Sequence, residues 1–418
     1  MGFFDVFINF FNYILLVVQN KHIQSNIWKY YLATALAYFG FFTPIIQLFY
    51  LDHGLTITKI AILGVVWSVV RILLEVPSGV LADKWGRKKV FAISSIFAVF
   101  QVIMIIYASN YWYFILASIF SAISFSFLSG TNTAFFYDTL KQLKKEYEFE
   151  KLWARQEIFV QIPLIISFLS SGFLYKYAPL LPFQLSLVFL FASFLVVLTF
   201  KEPEYHKPIE EVNVFTHFKQ SMRFIWDNSF LRAMLIFSVI FSIGSDLSYG
   251  YGQIYLKQLA LPVILFGIAY TFKSLFCTVF ANLTPAIRKK INYDGIFGLQ
   301  IILITILFYV MVLTNNYLIG AICFILIAIP HGMFSISKDS YINKHIESHH
   351  RATVTSMFSF VVALTLMIIE PISGYLADLY TMKFPFLLVA ILLTIYSVVA
   401  LAPPFPCAGN NKELPNFD

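Results

Sequence analysis

Charged side chains are scarce in this chain. Asp, Glu, Lys and Arg make up only 12% of the 418 residues, whereas 59% are hydrophobic and 18% are aromatic. The mean hydropathy is +0.77, and a soluble domain of average composition carries about twice this share of charge. The composition therefore excludes an ordinary soluble domain and indicates a membrane protein.

Cysteines and catalytic sequence motifs are also few. Cys277, Cys323 and Cys407 show no CxxC or histidine-linked spacing, which argues against a disulfide framework or a zinc site. The sequence contains no HExxH, GxSxG, paired-aspartate or phosphate-binding glycine motif, so a membrane acyl or glycosyl transferase is disfavoured. We therefore predict a protein that is not an enzyme and that uses no cofactor and no metal.

The apolar runs have the length of membrane-spanning helices. Such a helix needs about 20 mainly apolar residues, and roughly twelve runs of this length are separated by short polar breaks. We predict an all-α integral membrane protein with helices at residues 28–50, 60–82, 90–108, 112–137, 155–176, 181–200, 230–256, 261–284, 294–314, 317–340, 352–376 and 383–401.

The longest proline-broken, charge-rich stretch divides these helices into two sets of six. It covers residues 201–229 and is interpreted as a cytoplasmic linker between helical bundles at 28–200 and 230–401. Residues 1–27 form an apolar N-terminal segment that we interpret as a helix at the membrane surface, and 402–418 form a cytoplasmic tail. The segment carries Asp5 and Asn9 and lacks a basic start, so we predict no cleavable signal peptide.

Lys and Arg residues are concentrated in alternate loops, which sets the topology. The loops on one side hold clusters such as Arg288 to Lys290, whereas the opposite connections hold only Lys59, Lys176, Lys257 and Lys383. The positive-inside rule then places both termini in the cytoplasm. Topology thus explains the net charge of +7 better than nucleic-acid binding does. The short loops favour a bacterial inner membrane, and we expect a monomer.

The most informative motif is the loop between the second and third predicted helices. Residues 75–89 read Glu-Val-Pro-Ser-Gly-Val-Leu-Ala-Asp-Lys-Trp-Gly-Arg-Lys-Lys. This loop resembles the corresponding loop of the major facilitator superfamily (MFS), a class of secondary transporters. The resemblance implies two six-helix bundles related by a pseudo-two-fold axis and a carrier that alternates between the two membrane faces. We expect Gly79 and Gly86 to allow close backbone approach.

The resemblance also implies a gate built on this loop. Asp83 would face the start of the helix that opens near Arg351, and Arg87 would pair with Asp138 at the end of the fourth helix. A carboxylate at a helix N-terminus stabilises it by about 0.3–1 kcal/mol. The predicted conformational gate consists of Gly79, Asp83, Gly86, Arg87, Lys88, Asp138 and Arg351.

The first nine residues of this motif recur in similar form near the C-terminus, and we call this match the sequence echo. Residues 75–83 match residues 370–378 at Glu, Ser, Gly, Leu, Ala and Asp. The first copy ends its helix inside the cell and the second ends its helix outside. Opposite orientation is what inverted repeats produce, although a biased composition could also produce such a match by chance.

Two cations fall near the middle of predicted helices, where a charge costs on the order of 2.5–3.5 kcal/mol. Arg71 lies in the second helix and Lys273 in the eighth. Together they could flank a cavity and bind an anionic group. Alternatively they are structural pairs, Arg71 with Glu75 and Lys273 with Asp246 or Glu370. Asn132, Gln253 and His331 are further predicted substrate contacts, beside aromatics such as Tyr249, Tyr251, Tyr255 and Phe334.

Three acids in the helices are candidates for proton coupling. Buried carboxyl groups can bind a proton near neutral pH, and Asp246 is the first choice, followed by Glu370 and Glu75. A structural ion pair is the alternative for each. The sequence shows no discontinuous helix with clustered carboxylates, so protons are favoured over sodium ions.

These observations predict a secondary active transporter that moves a small organic solute, possibly anionic, by proton-coupled alternating access. One alternative is an exporter of drugs or metabolites in exchange for protons. A second is a membrane sensor with the same fold that binds a ligand without moving it, because fold alone does not establish activity.

Overall fold

The computed structural model describes residues 23–203, 222, 225–345 and 348–401, and these residues form helices, turns and loops without any β-strand. The N-terminal segment up to residue 22, most of the predicted linker and the tail from residue 402 lie outside the described residues. The predictions of a surface helix, a linker and a cytoplasmic tail therefore remain predictions.

The helices of the first half follow the predicted apolar runs. They are α1 (Ser25–Ala37), a 3-10 turn at Thr43–Ile45, α2 (Ile46–Asp52), α3 (Ile57–Trp85), α4 (Arg87–Ile106), α5 (Tyr111–Gln142), a 3-10 turn at Glu146–Glu148, α6 (Phe149–Tyr177) and α7 (Leu181–Leu198).

The helices of the second half do the same. They are α8 (Ser229–Gln258), α9 (Ile264–Arg288), α10 (Tyr293–Leu313), α11 (Tyr317–Leu326), α12 (Ala328–His345), α13 (Ser348–Leu379) and α14 (Lys383–Leu401). Among the described residues, ten spans are long and apolar enough to cross a membrane, with α11 and α12 counted as one. The broken pair α1 and α2 and the shorter α14 bring the number to the twelve crossings that the sequence predicts.

Two predicted helices are interrupted, which corrects the expectation of continuous segments at 28–50 and 317–340. In the first, α1 ends at Ala37 and regular helix resumes only after the turn at Thr43–Ile45. Gly40 and Pro44 lie in this break, and proline lacks the N–H that a helix requires. Residues 38–45 contain no carboxylate, so this break does not contradict the statement that no discontinuous helix with clustered carboxylates is present.

The second interruption separates α11 from α12 at Ile327. Pro330 lies four residues after Leu326 and cannot donate to its carbonyl, so the hydrogen-bond pattern of the helix fails at this point. The break lies one turn before His331, and it therefore sets the direction of the segment that carries this side chain.

The described residues of Met1–Phe49 with Ile62–Glu211 form one compact unit, and those of Tyr50–Ala61 with Val212–Asp418 form a second. Aromatic rings make the core of each. In the first unit the rings of Phe135 and Phe200 stack at 4.8 Å. In the second, Phe241 and Phe334 pack at 4.3 Å, with Phe237 beside them. Such pairs add about 0.5–1.5 kcal/mol each beyond the burial of their surface.

Candidate substrate and coupling site

Lys273 is the most unusual side chain of the second unit, because it is a cation buried in an apolar helix. It lies on α9 and is only 7% exposed. Its ammonium group lies 3.9 Å from the ring centre of Phe324 and 5.1 Å from that of Tyr249. It donates to the Oγ and the carbonyl oxygen of Ser248 at 3.4 and 3.5 Å. Rings within about 6 Å attract a cation through their negative faces.

These contacts leave the Lys273 ammonium group able to form stronger hydrogen bonds and an ion pair. Two hydrogen bonds of this length are weak, since N–H···O bonds usually measure 2.7–3.2 Å. Among the residues that the structure describes, no carboxylate oxygen lies within 4.0 Å of the ammonium group. The predicted direct ion pair with Asp246 or Glu370 is therefore not formed, and the buried charge is held by rings and by Ser248.

Acidic and polar side chains nevertheless surround Lys273 at longer range. Asp246 on α8 and His331 on α12 lie within electrostatic range of Lys273, and Glu370 on α13 lies within range of Asp246. His331 Nδ1 shares a short hydrogen bond with the hydroxyl of Ser245, one residue before Asp246. The structure thus brings together Lys273 and three other predicted site residues in one unit.

Gln253 joins the same region through an aromatic neighbour. Its side chain is 4% exposed and lies close enough to the hydroxyl of Tyr270 to influence its ionisation. The Tyr270 ring lies 5.2 Å from that of Phe324 and 6.3 Å from that of Tyr249. We call Tyr249, Tyr270 and Phe324 the aromatic cage, in which two rings face the Lys273 ammonium group and the third, that of Tyr270, packs against both.

Sequence analysis named only part of this cage. Tyr249 was predicted as a cavity residue, but Ser248, Tyr270 and Phe324 were not. The position of Tyr270, three residues before Lys273 on one helical face, could have indicated it. Phe324 comes from another helix, and no local signal connects it with Lys273.

Other predicted lining aromatics pack instead of facing a site. Tyr255 is fully buried and its hydroxyl donates to the carbonyl of Met311 at 2.8 Å. Phe334 lies in the aromatic core described above. Tyr251 is 3% exposed and its hydroxyl donates to the carbonyl of Glu370 at 3.1 Å, which ties α8 to the helix that carries this acid.

Arg71 is held in a similar way in the first unit. Its guanidinium carbon lies 4.8 Å from the ring centre of Phe125 and 5.4 Å from that of Trp67. Glu75, one turn further along α3, is exposed, and no ion pair joins the two within the described part of the chain. The predicted Arg71–Glu75 pair is therefore not formed, and an exposed Glu75 is a weaker candidate for proton coupling than Asp246 or Glu370.

Asn132 lies at the wall of a separate cavity in the first unit. Its Oδ1 accepts a 2.5 Å hydrogen bond from the hydroxyl of Tyr30. The cavity measures about 70 Å³, and Thr34, Ser94 and Ser193 supply hydroxyl groups to its lining. Ser94 and Ser193 donate their protons to backbone carbonyls of neighbouring helices. The cavity thus offers mainly oxygen acceptors and Asn132.

The predicted gate loop is ordered around an ion pair. Arg87 Nε lies 2.7 Å from Asp138 Oδ2, so the structure brings these two residues together as the resemblance implied. Asp83 is half-buried in the last turn of α3. The side chain of Arg351 lies outside the described residues, and the role of these residues in gating remains a prediction.

The two loop glycines differ. Gly86 has φ of +92°, and a Cβ there would lie 2.8 Å from the Glu202 carboxyl carbon. A Cβ at Gly79 would meet no atom within 4 Å. The nearest atoms at Gly86 belong to the Glu202 side chain and not, as expected, to another backbone, and at Gly79 the expectation of close approach fails.

Glu202 is a loop residue that sequence analysis missed. Its Oε1 accepts from the backbone N–H of Arg87 at 2.7 Å, and its Oε2 accepts from that of Lys88 at 2.8 Å. One carboxylate thus satisfies two of the free N–H groups at the start of α4. In the sequence Glu202 is one acid among several in a charged stretch, with nothing local to connect it with Gly86.

The helices and the buried charges together define a multi-pass membrane protein with the architecture of a transporter. The family model of the Major Facilitator Superfamily matches residues 30–368, and the chain belongs to this family of membrane transporters.

Known proteins support the same assignment. The chain is 24% identical over 362 residues to the uncharacterized MFS-type transporter YxaM of Bacillus subtilis (strain 168), covering 85% of this chain and 90% of that protein. The nucleoside transporter NupG has a TM-score of 0.75 at 15% identity, covering 90% of this chain and 98% of NupG. A POT family transporter in complex with 5-aminolevulinic acid has a TM-score of 0.69 at 10% identity, covering 90% and 95%. At these identities the solved structures show the fold alone.

Proposed function

We propose that the protein is a secondary active transporter of a small organic anion and that Lys273 binds the anionic group. The observation that supports this most directly is a buried ammonium group without a carboxylate partner in the described part of the chain. Leaving a buried charge uncompensated is costly, and an anionic ligand would supply the missing partner. The aromatic cage would contact the apolar part of the same solute.

Asp246 and Glu370 are the proposed proton carriers. Both lie in the same unit as Lys273, and each is close enough for the charge of one neighbour to affect it. An ionised carboxylate favours the charged ammonium, whereas its protonation removes that support. Proton binding and anion binding at Lys273 would therefore be coupled through electrostatics.

Ligand-dependent thermal unfolding of the purified protein tests the binding step. The panel contains mono- and dicarboxylates, organic phosphates, lipophilic cations, nucleosides and 5-aminolevulinic acid, the last two because proteins of the same fold are named for them. A ligand at 100 times its dissociation constant adds about 2.7 kcal/mol to the folded state.

Lys273→Gln should weaken anion binding roughly ten- to a hundredfold, because a hydrogen bond to a charged group contributes about 1.5–3 kcal/mol. Lys273→Arg retains the charge and should keep part of the affinity. Lys289→Gln removes an exposed lysine just after α9 and serves as the control. Unchanged anion binding by Lys273→Gln would contradict the proposal.

Transport in proteoliposomes tests the coupling step. In Asp246→Asn and Glu370→Gln, accumulation driven by a proton gradient should be lost, because an amide cannot bind and release a proton. Exchange of labelled for unlabelled substrate needs no net proton movement and should continue. Binding without any flux in the unaltered protein would indicate a sensor instead.

A second candidate is an exporter of organic cations in exchange for protons. It is supported by the two acids in the site, which outnumber the single lysine when both are ionised. Stabilisation by lipophilic cations alone, lost in Asp246→Asn and kept in Lys273→Gln, would favour this candidate over the anion transporter.

A further inference from the structure

The first turn of α3 is capped by an acid that lies more than 300 residues away in the chain. Asp378, in the last turn of α13, accepts from the backbone N–H of Ile57 through Oδ1 and from that of Thr58 through Oδ2, both at 2.8 Å. The hydroxyl of Thr58 also donates to Oδ2 at 2.6 Å. We name this set of three hydrogen bonds the α3 cap.

The first four backbone N–H groups of α3 all have hydrogen-bond partners. The N–H groups of Ile57 and Thr58 donate to Asp378. That of Lys59 donates to Thr56 Oγ1 at 3.2 Å, and that of Ile60 donates to the Thr56 carbonyl at 3.1 Å. Local sequence thus satisfies two donors, and the other two depend on Asp378.

Close helix packing accompanies the cap. Gly374 lies one turn before Asp378, and a Cβ at this position would lie 3.0 Å from the carbonyl oxygen of Ile57 and 3.1 Å from the Cβ of Ala61. Ile57 and Ala61 are both buried. A larger residue at 374 would therefore push α13 away from the start of α3.

The α3 cap lies within the second unit, whereas most of α3 belongs to the first. Residues 50–61 group with the second unit, whereas α3 from Ile62 onward groups with the first. Asp378 and Gly374 also belong to the second unit. Breaking the cap would therefore release the start of α3 from α13.

The sequence echo between residues 75–83 and 370–378 indicates that Asp378 has a counterpart in Asp83. α3 and α13 each end in Glu-x-x-Ser-Gly-x-Leu-Ala-Asp, closing with Asp83 in α3 and Asp378 in α13. The resemblance to the superfamily implies that Asp83 faces the start of α13, at the opposite end of these helices. The structure contains the Asp378 half of this reciprocal arrangement.

We propose that Asp378 is a positioning residue for transport, which holds the start of α3 on α13 through the α3 cap and releases it when the outer end opens. This inference rests on alternating access, as in the proposed function, and on the predicted topology that places the start of α3 outside. Asp378 is exposed, so water can satisfy both N–H groups after release. The cap is therefore reversible.

The experiment measures how readily the outer end opens. A single cysteine replaces Gln253, which is only 4% exposed while the cap is formed, in a protein with Cys277→Ser, Cys323→Ser and Cys407→Ser. A membrane-impermeant maleimide is added from outside to intact cells, and the labelling rate is compared among variants. Loss of a helix cap should shift the closed–open equilibrium roughly 2- to 30-fold.

Asp378→Ala should increase the labelling rate within that range. Asp378→Asn keeps one acceptor oxygen and should give an intermediate rate. Gly374→Val separates the helices by a different route and should also increase the rate. Glu150→Gln removes an exposed acid in the first turn of α6 and should change little, because it has no part in the α3 cap.

Unchanged labelling in both Asp378→Ala and Gly374→Val, with both proteins folded by thermal unfolding, would overturn the proposal. If one variant does not fold, the other decides. A panel in which no anion stabilises the protein would count against the proposed substrate, yet the maleimide rates would still show whether the α3 cap limits opening of the outer end.

Discussion

Removing the carboxylate of Glu202 should destabilise the protein more than removing most other acids at its surface. Glu202 is half-buried, and its two oxygens accept from the N–H groups of Arg87 and Lys88 at 2.7 and 2.8 Å. Glu202→Ala leaves both donors to water, which can reach them only in part. It also removes a negative charge from the positive end of the α4 dipole.

The magnitude follows from measured helix caps. Replacing a capping residue by alanine costs about 0.5–2 kcal/mol, and loss of the favourable charge adds about 0.3–1 kcal/mol. We expect about 2 kcal/mol for Glu202→Ala. Glu202→Gln keeps one acceptor oxygen and loses the charge, so we expect about half of this. A large protein loses roughly 2 °C in Tm per kcal/mol, which gives about 4 °C for alanine.

The assay is thermal unfolding of the purified protein in detergent. Glu150→Ala is the matched control, because Glu150 is an exposed acid in the first turn of α6 and no hydrogen bond from its side chain is seen in the described part of the chain. It should shift Tm by less than about 1 °C. A Tm for Glu202→Ala equal to that of Glu150→Ala would refute the reasoning.

A double-mutant cycle with Gly86 sharpens the test. Gly86→Ala places a Cβ 2.8 Å from the Glu202 carboxyl carbon and forces a residue with φ of +92°, which costs about 1–3 kcal/mol in strain. In the Glu202→Ala background only the strain remains. The losses of unfolding free energy in the two single variants should therefore sum to about 1 kcal/mol more than the loss in the double variant. Simple additivity would show that a Cβ at residue 86 does not clash with Glu202.

Two further predictions concern packing and charge. Arg87→Gln and Asp138→Asn each leave one partly buried charge without its partner. In thermal unfolding, each single variant should therefore lower Tm by more than half of the decrease seen in the double variant. Gly332→Ala places a Cβ 2.3 Å from the carbonyl oxygen of Cys277 and should reduce Tm and folded yield by the equivalent of about 2 kcal/mol. Gly298→Ala, where a Cβ meets nothing within 4 Å, should be neutral or stabilising in the same assay.

The helices were predictable because each depends on a local property. A run of about 20 apolar residues must satisfy its backbone within itself in a membrane, and length and composition alone indicate this. The breaks were less predictable. Pro330 and Gly40 are visible in the sequence, but proline and glycine are common in membrane helices. Whether a residue interrupts a helix depends on the neighbouring helices that can satisfy the freed carbonyls.

Contacts between distant segments were likewise predictable only in part. The Arg87–Asp138 pair could be inferred because family resemblance brought both positions together. The bonds from Glu202 to α4 and from Asp378 to α3 depend on which acid reaches which helix end, and charge-rich stretches offer several candidates. The echo at residues 370–378 indicated that Asp378 has a counterpart, but only the fold shows the N–H groups that it binds.

The two cations within membrane helices, Lys273 and Arg71, show why composition alone could not choose between an ion pair and a ligand site. Asp246 and Glu370 are close enough to affect the charges near them, which is the condition for a pair, yet neither contacts Lys273 directly. Aromatic faces hold both Lys273 and Arg71, and a cation–π contact of this kind contributes about 0.5–2 kcal/mol. That is less than the cost of burying the charge. The remaining cost must be met by another group, and an anionic solute that arrives and leaves would meet it only during part of a transport cycle.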